Sequence, residues 1–302
     1  MPFVWMDNQF VAEELAQISI KDTGLLHAAG VFTTMRAARG RVLHATDHLQ
    51  RLRRSCEQLG VHLSYGDEIL LGAMTELLSR NELSDARLRL TVTRGSARHD
   101  PVHGLHLSPS VFLTAGAFEP YPQAWYEHGM TVVLMDDQKL NPYDIQAGHK
   151  TLNYFSRLTG LSAATRQAAG EAMWFNVHNY LQSASVANVF IVKDQTLITP
   201  PTQDELSDPS LKAATPYPRS NVLPGVTRRR VIDLASEMTL AVRFSAIDIE
   251  QLLGADEVFL TNSVMGVMPV CRIEKKVVGN DRPGEIWARL AKAYTDEVEN
   301  PA

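Results

Sequence analysis

Four stretches of this 302-residue chain carry side chains that can do chemistry. In Gly148-His149-Lys150-Thr151-Leu152-Asn153-Tyr154, Lys150 stands at the start of an expected helix. It is either a solvated charge or an amine that condenses with an aldehyde into a Schiff base. The second role needs the amine to lose its proton, which desolvation and neighbouring positive charge permit. Pro224-Gly225-Val226-Thr227-Arg228 is a tight turn directly before a helix. Exposed N–H groups and the helix dipole at such a start favour a phosphate, though an ordinary helix cap reads the same way. In Leu49-Gln50-Arg51-Leu52, Arg51 lies off the apolar stripe of its helix, where its planar fork suits either solvent or a phosphate. Arg53 and Arg54 share that pattern, which does not choose among the three. Last, Thr261-Asn262-Ser263-Val264-Met265-Gly266-Val267-Met268-Pro269-Val270 follows a strand. Its small hydroxyl and amide groups serve an anion site or a plain turn.

The elements that must position these residues show in the periodicity. Gly30-Val31-Phe32-Thr33-Thr34-Met35 predicts a strand, paired with Arg41-Val42-Leu43-His44 across an Ala-Arg-Gly turn. Asp47 is placed to cap a helix with Leu49, Leu52, Cys56 and Leu59 on its apolar stripe and Gly60 as its stop. Arg87 to Thr93 alternates as a half-buried strand, and Val111 to Thr114 is another. Gly116 to Gln123, with two prolines, is the expected linker. Beyond it the chain turns β-rich, with short apolar runs at Thr131, Ala172, Val189 and Val258. A hairpin is expected from Val189 to Ile198 through Lys193-Asp194-Gln195, and helices after Lys150 and after Pro224-Gly225. The pattern is α+β, with a small α/β domain at 1–118 and a larger domain at 119–302.

Composition narrows the function classes. The chain is 45% hydrophobic and 21% charged with a net charge of −5, a soluble globular mix without a basic face for nucleic acid. Cys56 and Cys271 make no disulfide framework and fit a reducing compartment. The N-terminal MPFVWMDNQF has no secretory core, and no run nears the roughly 18 apolar residues of a membrane span. A cytoplasmic protein without membrane or nucleic-acid partners is expected. No metal site is expected either.

In this order and spacing, the four stretches resemble the class IV aminotransferases. The likeness covers nearly the whole chain. It opens at Ile20-Lys21-Asp22-Thr23-Gly24-Leu25 and Gly30-Val31-Phe32-Thr33-Thr34-Met35-Arg36, and continues through His48-Leu49-Gln50-Arg51-Leu52 and Lys150-Thr151-Leu152-Asn153-Tyr154. It takes in Asn188-Val189-Phe190 and Leu223-Pro224-Gly225-Val226-Thr227-Arg228, and ends at Met268-Pro269-Val270. The resemblance implies pyridoxal-phosphate (PLP) fold type IV, a small α/β domain plus a barrel-like one with PLP between them, and a homodimer. It further implies that Lys150 holds the cofactor's aldehyde. Arg51, the Val226 and Thr227 amides and the Asn262-Ser263 turn would bind its phosphate, and Tyr154 would lie near its phenolic oxygen.

Within the family, two features resemble bacterial 4-amino-4-deoxychorismate lyases. These are Phe32-Thr33-Thr34 and the Asn262-to-Val270 loop, in which Gly266 stands where transaminases carry Glu. Arg94-Gly95-Ser96-Ala97-Arg98-His99 is similar to the family's carboxylate-trapping loop, with the second arginine one residue early. Thr34, Arg94 and Arg98 are thus candidate substrate contacts. One departure stands out. The family's pyridine-nitrogen Glu falls five residues before the Asn, where this chain has Ser183, or Gln182 if the count is off by one. A neutral side chain gives no charge compensation to a protonated ring nitrogen, so transamination should suffer more than a lyase reaction driven by product aromatisation. The reading is a lyase acting on a small amino substrate, releasing pyruvate and 4-aminobenzoate for folate synthesis. Its alternatives are a branched-chain or D-amino-acid transaminase and a PLP-binding protein with degenerate activity.

Overall fold

A computed structural model describes residues 1–100 and 104–300, with the side chains of residues 97–106 outside that description. Two compact units emerge: residues 1–119 with 149–153 and 298–302, and residues 120–148 with 154–297.

The first unit is built on a six-stranded sheet in the order β2-β1-β8-β5-β3-β4. Its strands are β1 (Phe3–Met6), β2 (Gln9–Ala12), β3 (Gly30–Ala38), β4 (Arg41–Val42), β5 (Ala86–Thr93) and β8 (Val111–Ala117), and every pairing is antiparallel. A separate two-stranded ribbon joins β6 (Ser96–Asp100) to β7 (Gly104–Ser108). Period-2 alternation sends Val31 and Met35 of β3, with Leu88, Leu90 and Val92 of β5, into one core. The short helix α1 (Thr23–His27) precedes β3, and two longer ones cover that face: α2 (Ala45–Gln58) with Leu49, Leu52 and Cys56, and α3 (Asp67–Arg80) with Leu70, Met74 and Leu77. Each fully buried aliphatic side chain there is worth about 1.5–3 kcal/mol. The other face carries Phe32, Thr34 and Arg36, opposite Thr91, Arg89 and Arg87.

Two expected details differ. Helix α2 starts at Ala45 with His44 at its N-cap, so Asp47 sits inside the first turn, where its charge still favours the helix dipole. The partner strand after Gly40 is only Arg41–Val42 because α2 begins three residues later.

Lys150 also differs from expectation. It lies not on a helix but on an extended segment that joins the first unit's sheet at the start of β3. Phe32 N–H donates to the Lys150 carbonyl and Leu152 N–H to the Gly30 carbonyl, both at 2.9 Å. Gly30 makes this closeness possible, since a Cβ there would stand 2.6 Å from the Val92 carbonyl oxygen and 2.7 Å from Leu152 Cδ1.

The second unit is a nine-stranded mixed sheet. Its order is β11-β10-β9-β16-β15-β12-β13-β14, with β17 on the side of β16. The strands are β9 (Met130–Leu140), β10 (Glu171–Asn176), β11 (Leu181–Ala184), β12 (Asn188–Lys193), β13 (Thr196–Thr199), β14 (Ala241–Phe244), β15 (Glu257–Asn262), β16 (Gly266–Ile273) and β17 (Lys276–Val277). The β12–β13 hairpin turns at Asp194-Gln195, both at positive φ (47° and 59°), as a two-residue turn between right-twisted strands requires. The helices are α4 (Gln123–His128), α5 (Phe155–Arg166), α6 (Gln203–Ser207), α7 (Val226–Glu237), α8 (Ile249–Leu253) and α9 (Glu285–Glu299). Met173, Val189, Leu260 and Met268 are wholly buried at the centre of the sheet's core. No helix among the described residues is long and apolar enough to cross a membrane.

Candidate active site

In the first unit, α2 presents a polar ridge beside its apolar stripe, made by His48, Arg51 and Ser55 at i, i+3 and i+7. Arg51 Nη2 donates to Thr33 Oγ1 at 3.0 Å, and the same hydroxyl lies 2.7 Å from His48 Nδ1. A hydroxyl that accepts from a guanidinium keeps its own hydrogen to give. Arg51 Nη2, which can only donate, also lies 3.5 Å from His48 Nδ1, so that ring nitrogen is the acceptor toward both groups and the imidazole carries its hydrogen on Nε2. Burial holds the His48 pKa well below the ordinary 6.5, and the charges of Arg51, His44 and Lys150 press the same way. The result is a neutral ring beside the Arg51 guanidinium, a permanent cation suited to an anion. His149 is handled alike. Its Nδ1 lies 2.9 Å from Ser55 Oγ, and burial lowers its pKa ahead of the charge of Arg54.

Lys150 Nζ stands 4.7 Å from the centre of the Phe32 ring, and the Arg89 guanidinium lies 3.6 Å from the same ring. The three arginines that the pattern left equivalent now separate. Arg53 is tied to Asp67 and the Tyr65 carbonyl, Arg54 is exposed, and Arg51 reaches Thr33. Thr34 faces away from the helices and pairs across strands with Arg89, whose Nε donates to Thr91 Oγ1 at 3.1 Å. Arg94 is exposed after β5. Arg98 lies on β6, but its side chain falls outside the described residues.

In the second unit, no side chain caps the start of α7. Asn188 fixes that start. Its Nδ2 donates to the Leu223 carbonyl at 2.9 Å, and a Cβ on Gly225 would meet its Oδ1 at 2.0 Å. Glycine is thus required for the turn to close on Asn188, and the amides of Val226 and Thr227 begin the helix without a capping side chain. Arg228 turns the other way. It is 2% exposed and holds Glu205 through two hydrogen bonds of 2.8 Å, so it clamps the fold rather than an anion. Asn262 folds its own loop, accepting from the Val264 and Met265 amides at 2.8 Å, which engages its side-chain oxygen inside the turn. Gly266, at φ 66°, closes that turn between β15 and β16, and Ser263 beside it is half-buried.

Tyr154, half-buried at the N-cap of α5, directs its hydroxyl to the Ser185 carbonyl at 3.4 Å. One turn on, Arg157 Nη1 donates to Ser183 Oγ and to the Ala184 carbonyl, both at 3.1 Å, and its guanidinium lies 5.1 Å from the Trp174 ring. Gln182 points to the other side of β11, with Nε2 donating to Tyr217 Oη at 3.1 Å. The strand therefore separates the two neutral candidates, and Ser183 shares its surroundings with Tyr154 and Arg157. The nearby acid, Glu171, is turned inward and accepts from the Ala172, Ser185 and Val186 amides at 2.8–3.0 Å. Burial raises the Glu171 pKa, opposed by those bonds and by Arg157.

Each unit by itself fits part of a phosphate-bearing aldehyde: an amine and an oriented guanidinium in the first, an open helix start in the second. At the position where the family resemblance expects an acid, the chain has the Ser183 hydroxyl with Arg157 donating to it. Thr33, His48, Arg89 and Arg157 were not among the expected site residues. The ridge on α2 and the alternation Arg87-Leu88-Arg89-Leu90 are the signals that reveal the first three.

The model of the amino-transferase class IV family matches residues 30–208 and 211–273. A D-alanine aminotransferase of Bacillus licheniformis is 27% identical over 296 residues, covering 98% of this chain and 96% of that protein. A branched-chain-amino-acid aminotransferase of Salmonella typhimurium is 26% identical over 313 residues, covering 99% and 94%. The crystal structure of the Escherichia coli branched-chain amino acid aminotransferase superposes with a TM-score of 0.87 at 25% identity, covering 99% and 95%.

Proposed function

This chain belongs to the class IV aminotransferases, which are PLP-dependent enzymes, and from that premise we propose that it is a 4-amino-4-deoxychorismate lyase releasing pyruvate and 4-aminobenzoate. The observation that carries the reading is Ser183, held by Arg157, at the position that the family resemblance gives to a ring-nitrogen carboxylate. Bound PLP supplies an aldehyde for the substrate's amine and a ring that draws off the electron pair left at the substrate carbon. With no acid to protonate the ring nitrogen, that withdrawal is weak. A reaction that makes an aromatic product tolerates the weakness better than an exchange of amino groups. Elimination also regenerates the aldehyde in every cycle, so one substrate suffices.

The residues divide the work. Lys150 holds the aldehyde between turnovers. Its Nζ would take the proton from the amine-bearing carbon of the substrate. It returns a proton to the departing three-carbon unit as the ether C–O bond breaks, which leaves pyruvate. Arg51, oriented by Thr33 and facing neutral His48, binds phosphate together with the Val226 and Thr227 amides and the Asn262-Ser263 turn, there through its backbone. Tyr154 would lie by the phenolic oxygen and Ser183 by the ring nitrogen. Thr34, Arg94 and Arg98 meet the substrate, whose carboxylates suit the arginines. By the same resemblance the enzyme is a cytoplasmic homodimer.

Incubation with 4-amino-4-deoxychorismate should yield 4-aminobenzoate and pyruvate in equal amounts, and Lys150→Ala should abolish both. Equal rates for the two proteins would refute the lyase. The second reading, a transaminase for branched-chain or D-amino acids, is favoured by the names of the relatives. It requires a keto-acid acceptor for sustained turnover, which the lyase does not.

A further inference from the structure

We propose that Arg157, acting through the Ser183 hydroxyl, keeps the ring nitrogen of bound PLP unprotonated, as a positioning residue that reverses the polarity of this contact. The inference rests on the reading that Lys150 holds PLP with its ring nitrogen toward Ser183. The geometry is a chain of donors. Arg157 Nη1 donates to Ser183 Oγ, so the hydroxyl's own hydrogen is the group left to point onward. A guanidinium has five N–H groups and no acceptor, and it does not lose its proton in a protein. Arg157 therefore cannot receive a hydrogen bond from a protonated nitrogen, and Ser183, with one lone pair engaged by Arg157, offers such a nitrogen only a neutral lone pair and no negative charge.

Two further observations fix the arrangement. The second bond from Nη1, to the Ala184 carbonyl at 3.1 Å, and the Trp174 ring at 5.1 Å hold the guanidinium against β11. Among the described residues, Arg157 forms no ion pair with a carboxylate. Glu171 is the acid whose charge it feels, yet that carboxylate is engaged by three backbone amides. Glu171 therefore offsets the guanidinium only through space, without a direct ion pair. A cation a few ångströms away opposes protonation of a neutral ring nitrogen, just as an acid there would favour it. Substituting Ser183 alone removes the acid; placing Arg157 behind it inverts the field.

The test reads the nitrogen itself. The holoenzyme is prepared with PLP carrying 15N in its ring, borohydride reduction and peptide mass spectrometry establish attachment at Lys150, and the ring 15N resonance is followed against pH. The wild type should show the unprotonated position throughout its stable range, and Arg157→Lys, still a donor, should match it. The double variant Ser183→Glu/Arg157→Gln should move the resonance to the protonated position. A merely structural Arg157 would leave the wild-type nitrogen free to protonate as the pH falls. If PLP is attached at Lys150 and the wild-type nitrogen is protonated, the inference is overturned while the cofactor reading stands. If no PLP is attached at Lys150, both fall. The wild-type result decides the matter even if the double variant does not fold.

Discussion

In the first unit the Thr33 hydroxyl accepts from Arg51 and gives its hydrogen to His48, a relay that closes within the protein. In the second, Ser183 accepts from Arg157, and among the described residues its own hydrogen has no acceptor. Both devices use one hydroxyl and one guanidinium. The first has an internal acceptor, so it serves to aim Arg51 and to keep His48 neutral. The second has none among the described residues, which leaves the Ser183 hydroxyl able to give its hydrogen to a bound group. The same two residue types therefore give a fixed scaffold in one place and a tuned contact in the other, and the third partner makes the difference.

That contrast can be broken in several ways. The largest effect should come from Lys150→Ala, which removes the amine beside the closed relay. Turnover should fall by about 10³-fold or more, on the scale of lost acid–base and covalent catalysis. The stability of the first unit should stay nearly constant in thermal melts. Next, Arg228→Ala leaves the half-buried Glu205 without its ion-pair partner and should cost about 3 kcal/mol in denaturant unfolding. Cofactor affinity should hold in the protein that remains folded, because Arg228 faces away from the start of α7. A large loss of affinity without loss of stability would show that this arginine had been misplaced.

Gly225→Ala should cost about 1–3 kcal/mol, because its Cβ collides with Asn188 Oδ1, and it should also weaken PLP binding by shifting the amides at the helix start. Urea unfolding together with a PLP titration separates the two effects.

The smallest effect concerns the closed relay itself. The folded-state pKa of His48 lies below its unfolded value of 6.5, so the unfolded chain binds the extra proton first. Its contribution to stability is complete above about pH 6.5. It is lost by up to about 1.4 kcal/mol per pH unit as the pH falls toward the folded pKa. His48→Gln should flatten that part of a Tm-against-pH curve, and an unchanged slope would mean that His48 is not the group held neutral.

Much of this arrangement could be read from residue order. The alternation from Arg87 to Thr93 and the helix after Pro224-Gly225 are local patterns, and local patterns set local structure. Lys150 escaped because its neighbours, taken alone, read as a helix start, whereas hydrogen bonds to β3 hold it extended. Such pairing, across more than a hundred residues, leaves no trace in periodicity. Arg51 could not be told from Arg53 and Arg54 for the same reason, since Asp67 and Tyr65 settle one of them and Thr33 another. Arg157 looks like any surface arginine on a helix. Its meaning appears only when β11 is placed beside α5, which brings it to Ser183, 26 residues away in sequence.

The central claim is a PLP enzyme that eliminates rather than exchanges amino groups, and it is tested most directly by the visible spectrum of the holoenzyme. D-alanine, a branched-chain amino acid and L-glutamate are each added alone. The absorbance of the aldehyde form should persist with every donor, while 4-amino-4-deoxychorismate is consumed and 4-aminobenzoate accumulates. Conversion of the cofactor to its amine form by any of these donors, on the timescale of turnover, would contradict the account and make this chain a transaminase.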